Sequence, residues 1–213
     1  MRKRFLRHGL ASFDDHNVLE LLLFYALPRR DTNLVAHTLM DTFGGLDGVF
    51  AASPEELMKV PGIGENAAAL IRLVPEAAQR YLVARESISD VLPDVESTGR
   101  YLLPRFMNCT TEIVMLLCLD PKLKVLDCRQ VGSGGLTSAS FSIRDIVQTA
   151  LQHNAKYAVL AHNHLSGVAL PSQEDKSATV LVRDALRMVD VTLIDHIIVA
   201  GQDFVSLADD GYL

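Results

Sequence analysis

The amino-acid sequence predicts a small all-helical domain over residues 1–86, a connecting stretch over 87–100, and a mixed α/β domain over 101–213. Three observations predict this division. The first part carries apolar residues at helical spacing, interrupted by helix stop and start signals. The last part alternates short continuous apolar runs with amphipathic stretches, the pattern of strands and helices taken in turn. Between them, Pro93, Gly99 and a cluster of Asp, Glu and Ser residues read as a linker or as the entry to the second domain.

Each element has a local reason. Asp14 or Asp15 caps a helix through Leu19, Leu22, Leu23 and Ala26, and Pro28 ends it. Thr32 to Phe43 places Leu34, Val35, Leu39 and Phe43 at helical spacing, and Gly44-Gly45 stops that helix. Ser53-Pro54-Glu55-Glu56 combines an N-cap, a first-turn proline and a capping-box glutamate. The short helix that follows ends at Lys59, and after Val60-Pro61-Gly62-Ile63-Gly64 a long helix runs from Glu65 to Arg85. In the second part, Glu112–Leu119 and Lys124–Val131 read as strands joined by the Asp120-Pro121 turn. Ser142 caps a helix from Ile143 to Asn154, and Tyr157–Ala161 is a short buried strand. Asp175–Val189 is an amphipathic helix, and 191–199 completes a strand before a polar C-terminal turn.

Composition narrows the function classes. With 49% hydrophobic and 22% charged residues the chain is an ordinary globular one rather than a disordered one. A formal net charge of -6 argues against a protein whose whole surface binds polyanions, so any nucleic-acid contact has to be local. Cys109, Cys118 and Cys128 contain no CxxC pair, which points to free thiols in a reducing compartment rather than a disulfide framework. The apolar stretch 18–27 is too short to span a bilayer, and the basic N-terminus is followed by no signal-like apolar region. A cytoplasmic protein without membrane contact is the expectation.

The residues that carry chemistry follow the strand 157–161. His162 and His164 stand at i and i+2, so both imidazoles leave the strand end on one side and can reach a single cation. Eleven residues later Asp175 adds a carboxylate as a helix begins. Two imidazoles and a carboxylate make a three-ligand set that suits zinc and leaves a fourth position for water, whose pKa the metal lowers.

His162-x-His164, seven residues, Ser172-x-x-Asp175 resembles the JAMM metalloenzyme motif. The fuller stretch His162-Asn163-His164-Leu165-Ser166-Gly167, with Asp195-His196 downstream, is similar to the RadC (UPF0758) branch of the JAB/MPN domains. The resemblance covers almost the whole chain, because that branch also carries an N-terminal helix-hairpin-helix region. It implies a JAB/MPN-type, cytidine-deaminase-like α/β fold with His162, His164 and Asp175 as zinc ligands. It implies further that Glu112, which opens the first strand, is the general base and that Ser172 stabilises the oxyanion. Ser172 also reads as a helix N-cap, and the two roles are compatible. Leu165 stands where the branch has proline, and Asp145 stands where it usually has glutamate. His196 reads as a structural or supporting histidine rather than a ligand.

Val60-Pro61-Gly62-Ile63-Gly64 resembles a helix-hairpin-helix loop, in which glycines at 62 and 64 permit positive φ and backbone N–H groups can meet a phosphate. Lys59 and Arg72 lie near enough to assist, and the helices 14–26 and 32–43 can form a degenerate paired hairpin offering Arg29 and Arg30. Residues 1–86 hold ten Lys/Arg and eleven Asp/Glu, so strong electrostatic DNA binding is not expected. A DNA-backbone contact and a purely structural or protein-contacting role both stay open. Two functions follow: a zinc hydrolase acting on a peptide or isopeptide-like substrate, or a non-catalytic DNA-associated adaptor with a structural or vestigial metal site.

Overall fold

The capping signals of the first third are realised as helix ends in the computed structural model, which describes residues 1–86, 91–134 and 141–213. Contacts divide the described residues into two units, Met1–Arg80 and Tyr81–Leu213.

The first unit contains α1 (Arg2–His8), α2 (Asp15–Ala26), α3 (Thr32–Phe43), α4 (Leu46–Ala51), α5 (Pro54–Leu57) and most of α6 (Glu65–Glu86). Asp31 caps α3 by accepting from the Asn33 N–H, and Gly44 ends it in the left-handed conformation (φ 81). At α5 the Ser53–Glu56 capping box closes in both directions. Leu19 and Leu23 of α2, Ala36 and Leu39 of α3, and Leu57, Ala67, Ala68 and Ile71 form its core. The helices α1 and α4 were not expected. No residue of α1 is buried, so it carries no core stripe to read, and α4 is a single short segment directly after the Gly44-Gly45 stop.

After the last turns of α6 the second unit continues with α7 (Val95–Phe106), so the part of 87–100 from Val95 onward is helical and serves as the entry to this domain. The reason is local. The Asp94 carboxylate accepts from the Ser97 N–H at 2.7 Å, and the Ser97 hydroxyl meets the Asp94 N–H at 3.3 Å. Gly99 looked like linker glycine but serves packing, since a Cβ there would lie 2.2 Å from the Phe204 ring. Residues 87–90 of the expected connection lie outside the described residues.

Strands β1 (Ile113–Leu119), β2 (Val125–Ser133), β3 (Tyr157–Asn163), β4 (Thr192–Ala200) and β5 (Asp203–Ser206) form one mixed sheet in the order β2-β1-β3-β4-β5. Among the described residues only β3 and β4 pair in parallel. The chain crosses between them through α9 (Gln173–Arg187), as parallel neighbours require. Helix α8 (Ile143–Gln152) joins β2 to β3.

Alternation along the central strands assigns the two faces. Val114, Leu116, Cys118, Ala158 and Leu160 pack with Ile146, Ala178, Val182 and Leu186 of α8 and α9. Met115, Leu117, Leu119, Val159 and Ala161 pack with Tyr101, Leu102 and Phe106 of α7. Both faces of β1 and β3 are thus covered, which is why these strands read as unbroken apolar runs. β5 was not expected. It is four residues long and pairs with β4 across a turn in which Gly201 takes φ 63. Among the described residues no helix is long and apolar enough to cross a membrane.

Candidate metal centre

Strand β3 runs two residues past its predicted end, because His162 still pairs with Val114 and Asn163 with Val199. His162 shares the face of Ala158 and Leu160, so its ring leaves the sheet toward α9. The His164 N–H donates to the Val199 carbonyl at 2.8 Å, continuing the pairing one step further. His164 therefore stands on the same side as His162, at the i+2 interval.

Asp175 is brought to them by a helix start. Ser172 caps α9, its Oγ accepting from the Asp175 N–H at 3.1 Å while the Ser172 N–H donates to Asp175 Oδ2 at 2.7 Å. The capping box thus orients the carboxylate as well as the helix. Asp175 Oδ1 lies 3.1 Å from His162 Nε2, and Oδ2 lies 3.4 Å from His164 Nε2. The two Nε2 atoms are 2.9 Å apart. Burial by itself would raise the Asp175 carboxyl, but the adjoining His162 ring and the Ser172 cap outweigh it and hold the group well below the usual carboxylate range. His162 and Asp175 are 1% and 3% exposed. The His164 side chain is 16% exposed, so the cluster reaches solvent at His164.

One ligand atom from each of His162, His164 and Asp175 lies within 4.8 Å of the others. The Val168 carbonyl 3.2 Å from His164 Nδ1 is an acceptor only, which requires Nδ1–H and leaves the Nε2 lone pair facing the cluster. Two imidazole nitrogens and an ionised oxygen aimed at one point are a donor set that fits a divalent cation of the zinc type.

Glu112 stands half-buried immediately before β1. The β1–β3 pairing reaches Val114 opposite His162, so Glu112 stands two residues beyond the paired end of β1, at the end of the sheet where His162 leaves it. Glu112 itself is not part of the three-residue cluster. Asn163, which sequence reasoning passed over, braces this corner. Its Oδ1 accepts from the Ile113 N–H at 2.8 Å and its Nδ2 donates to the Thr111 carbonyl at 3.2 Å, so one amide holds the backbone on both sides of Glu112.

His196, expected to be a supporting histidine, lies behind His162. It is 0% exposed, with Nε2 2.9 Å from His162 Nδ1 and Nδ1 2.6 Å from Thr179 Oγ1. Burial holds its pKa well below the ordinary histidine value. The neighbouring Asp195 points away from the cluster. It accepts from Ser206 Oγ–H and from the His196 and Ala208 N–H groups, and burial nonetheless raises its pKa. Burial pushes the Cys118 thiol up to about 12 and the Cys128 thiol up to about 11, so both stay protonated. Asp145 lies in the exposed first turn of α8, with its N–H on the Ser142 cap.

In the first unit, Gly62 takes φ 96 as the hairpin reading expected. Gly64 does not take a positive φ, and a Cβ there would meet nothing within 4 Å, so its position is open rather than conformationally demanding. The Gly62–Gly64 loop and the start of α6 line a concavity together with Leu27, Pro28 and Arg30. Glu65 lines it too and sets a negative charge against an anion. Arg72, expected to assist, is committed elsewhere: its guanidinium donates to the Phe50 carbonyl and pairs with Glu76 at 3.4 Å. Lys59 is exposed two residues past the end of α5.

Comparison with known proteins agrees with this architecture. Residues 92–212 match the RadC-like JAB domain, and residues 45–74 match the helix-hairpin-helix motif. A UPF0758 protein of Bordetella petrii is 39% identical over 212 residues, covering 100% of this chain and 94% of the relative. One from Bordetella parapertussis is 40% identical with the same coverage. One from Methylibium petroleiphilum is 36% identical, covering 100% of this chain and 96% of the relative. An N-terminal helical region with a helix-hairpin-helix motif, followed by a mixed sheet with helices on both faces, is thus the arrangement of a chain that belongs to the RadC-like JAB domain (UPF0758) family.

Proposed function

We propose that residues 101–213 form a zinc-dependent hydrolase of the JAMM type that cleaves an amide or isopeptide bond in a peptide-like substrate. The helical module over 1–86 brings it to a DNA backbone or to a partner protein. One observation carries the reading: His162, His164 and Asp175 converge at the end of β3, and Glu112 stands two residues before Val114, the residue that pairs with His162. Membership of a JAB-domain family, many of whose members are hydrolytic zinc proteins, supports it.

Zinc held by His162, His164 and Asp175 would supply a Lewis acid and lower the pKa of water bound to it. Glu112 takes the proton of the attacking water on a carboxylate oxygen and returns it to the leaving amine nitrogen. Ser172 donates its hydroxyl proton to the substrate oxyanion, because its cap role uses only an Oγ lone pair and leaves that proton available. In the hairpin, Gly62, Gly64 and the first N–H groups of α6 meet a phosphate with Arg30 beside them, and the exposed Lys59 adds positive charge ahead of the loop, a contact to backbone rather than to base sequence.

Metal analysis and turnover test the reading together. Wild-type protein should purify with about one zinc per chain and His164→Ala with none, as expected when one of three protein ligands is removed. In hydrolysis of a mixed peptide and isopeptide library, Glu112→Gln should lose about 10²–10⁴-fold in rate while keeping its zinc. Zinc-free wild type overturns the metal site. Zinc without turnover in wild type and Glu112→Gln alike moves the assignment to a non-catalytic DNA-associated adaptor.

A further inference from the structure

The hydrogen-bond chain behind His162 has one consistent set of proton positions, and it starts at a group that cannot move. The backbone carbonyl of Asp175 only accepts, and Thr179 Oγ1 lies 2.6 Å from it, so the single hydroxyl proton of Thr179 is committed there. Thr179 Oγ1 also lies 2.6 Å from His196 Nδ1 and can only accept in that contact, which makes His196 an Nδ1–H donor. His196 is fully buried, its two ring nitrogens facing Thr179 and His162 with no carboxylate hydrogen-bonded to the ring among the described residues, so a second ring proton would bury a charge without a directly bonded counterpart. Its Nε2 is therefore an acceptor, and the 2.9 Å contact makes His162 Nδ1 a donor.

We propose that Thr179 and His196 are positioning residues that hold the proton of His162 on Nδ1, so that Nε2 is always the nitrogen offered to the cluster. The chain begins and ends in the cluster itself, because the carbonyl that anchors Thr179 belongs to Asp175 and the ring it finally orients belongs to His162. His164 is set separately by the Val168 carbonyl. The two imidazoles are thus pre-set by independent acceptors, one in a surface loop and one in the first turns of α9. This inference rests on the proposed metal site for its purpose, though the proton positions follow from the hydrogen bonds alone.

Replacing the hydroxyl reverses the chain. With valine at 179, the His196 Nδ1–H has no acceptor in a buried site, so the proton moves to Nε2 and displaces the His162 proton to its own Nε2, directly into the cluster. Cation binding then has to undo both shifts.

The test uses the full chain, with zinc as the probe. Nitrogen-15 spectra of the histidine rings in metal-free wild type should show Nδ1–H on His162 and His196. Thr179→Val, which keeps the side-chain shape, should lose the His162 Nδ1–H signal and bind zinc about 10- to 100-fold more weakly in competition with a chromophoric chelator. Thr179→Ser, which keeps the hydroxyl, should restore both. Wild-type spectra with the neutral His162 proton on Nε2 would overturn the proposal whatever the variants do. So would a folded Thr179→Val protein with unchanged His162 signals and wild-type zinc affinity. Failure of wild type to bind zinc would instead strike the metal site, and the metal-free spectra would still decide the proton positions.

Discussion

The hairpin loop of the first unit and the ligand cluster of the second offer their functional groups in different ways. Around Gly62 and Gly64 the offering is main chain: a positive φ at Gly62, an open position at Gly64 and the start of α6. Around His162 it is side chain, and every donor has a support. Asp175 is held by the Ser172 cap, His164 by Val168, His162 by His196, and the backbone about Glu112 by Asn163. A backbone site needs only the right dihedral angles. A buried side-chain site needs each partner satisfied, because an unpaired polar atom there costs about 1–3 kcal/mol.

That contrast makes the second site the more fragile to conservative change. Asn163→Ala should cut turnover by about 100-fold, the scale of an ångström-level misplacement of a reacting group, with zinc content unchanged. Loss of zinc together with turnover would mean that Asn163 supports the ligands rather than Glu112. Gly62→Val forces a branched side chain into the left-handed region and should cost about 1–2 kcal/mol of stability in the first unit. Weaker binding to duplex or single-stranded DNA, with zinc content intact, would show the two sites to be separable; unchanged DNA binding would remove the hairpin from any phosphate role. Ser53→Ala should have the smallest effect. It removes one cap of α5, worth about 1 kcal/mol by thermal unfolding, with no change in zinc or turnover.

The sequence made the cluster legible because its geometry is local. Two histidines at i and i+2 share a face on any strand, and a serine three residues before an aspartate signals a helix start that points the carboxylate back toward its cap. The supports were illegible because they depend on partners far along the chain. His196 reaches His162 only through the parallel pairing of β3 with β4, 34 residues apart, and Asn163 reaches Ile113 across 50 residues. An asparagine between two histidines at a strand end was a signal of a kind. It must face the opposite way from its neighbours, where an amide can bridge adjacent backbones. The α7 helix was hidden for another reason: Gly99 and Pro104 lower its helical propensity, and the Phe204 ring that requires Gly99 lies in a strand too short to read.

The most direct test of the account is X-ray absorption at the zinc edge of wild-type protein. The account predicts a first coordination sphere of nitrogen and oxygen that contains two imidazoles and is lost in His162→Ala. A spectrum dominated by sulfur, or one unchanged by that substitution, would contradict it.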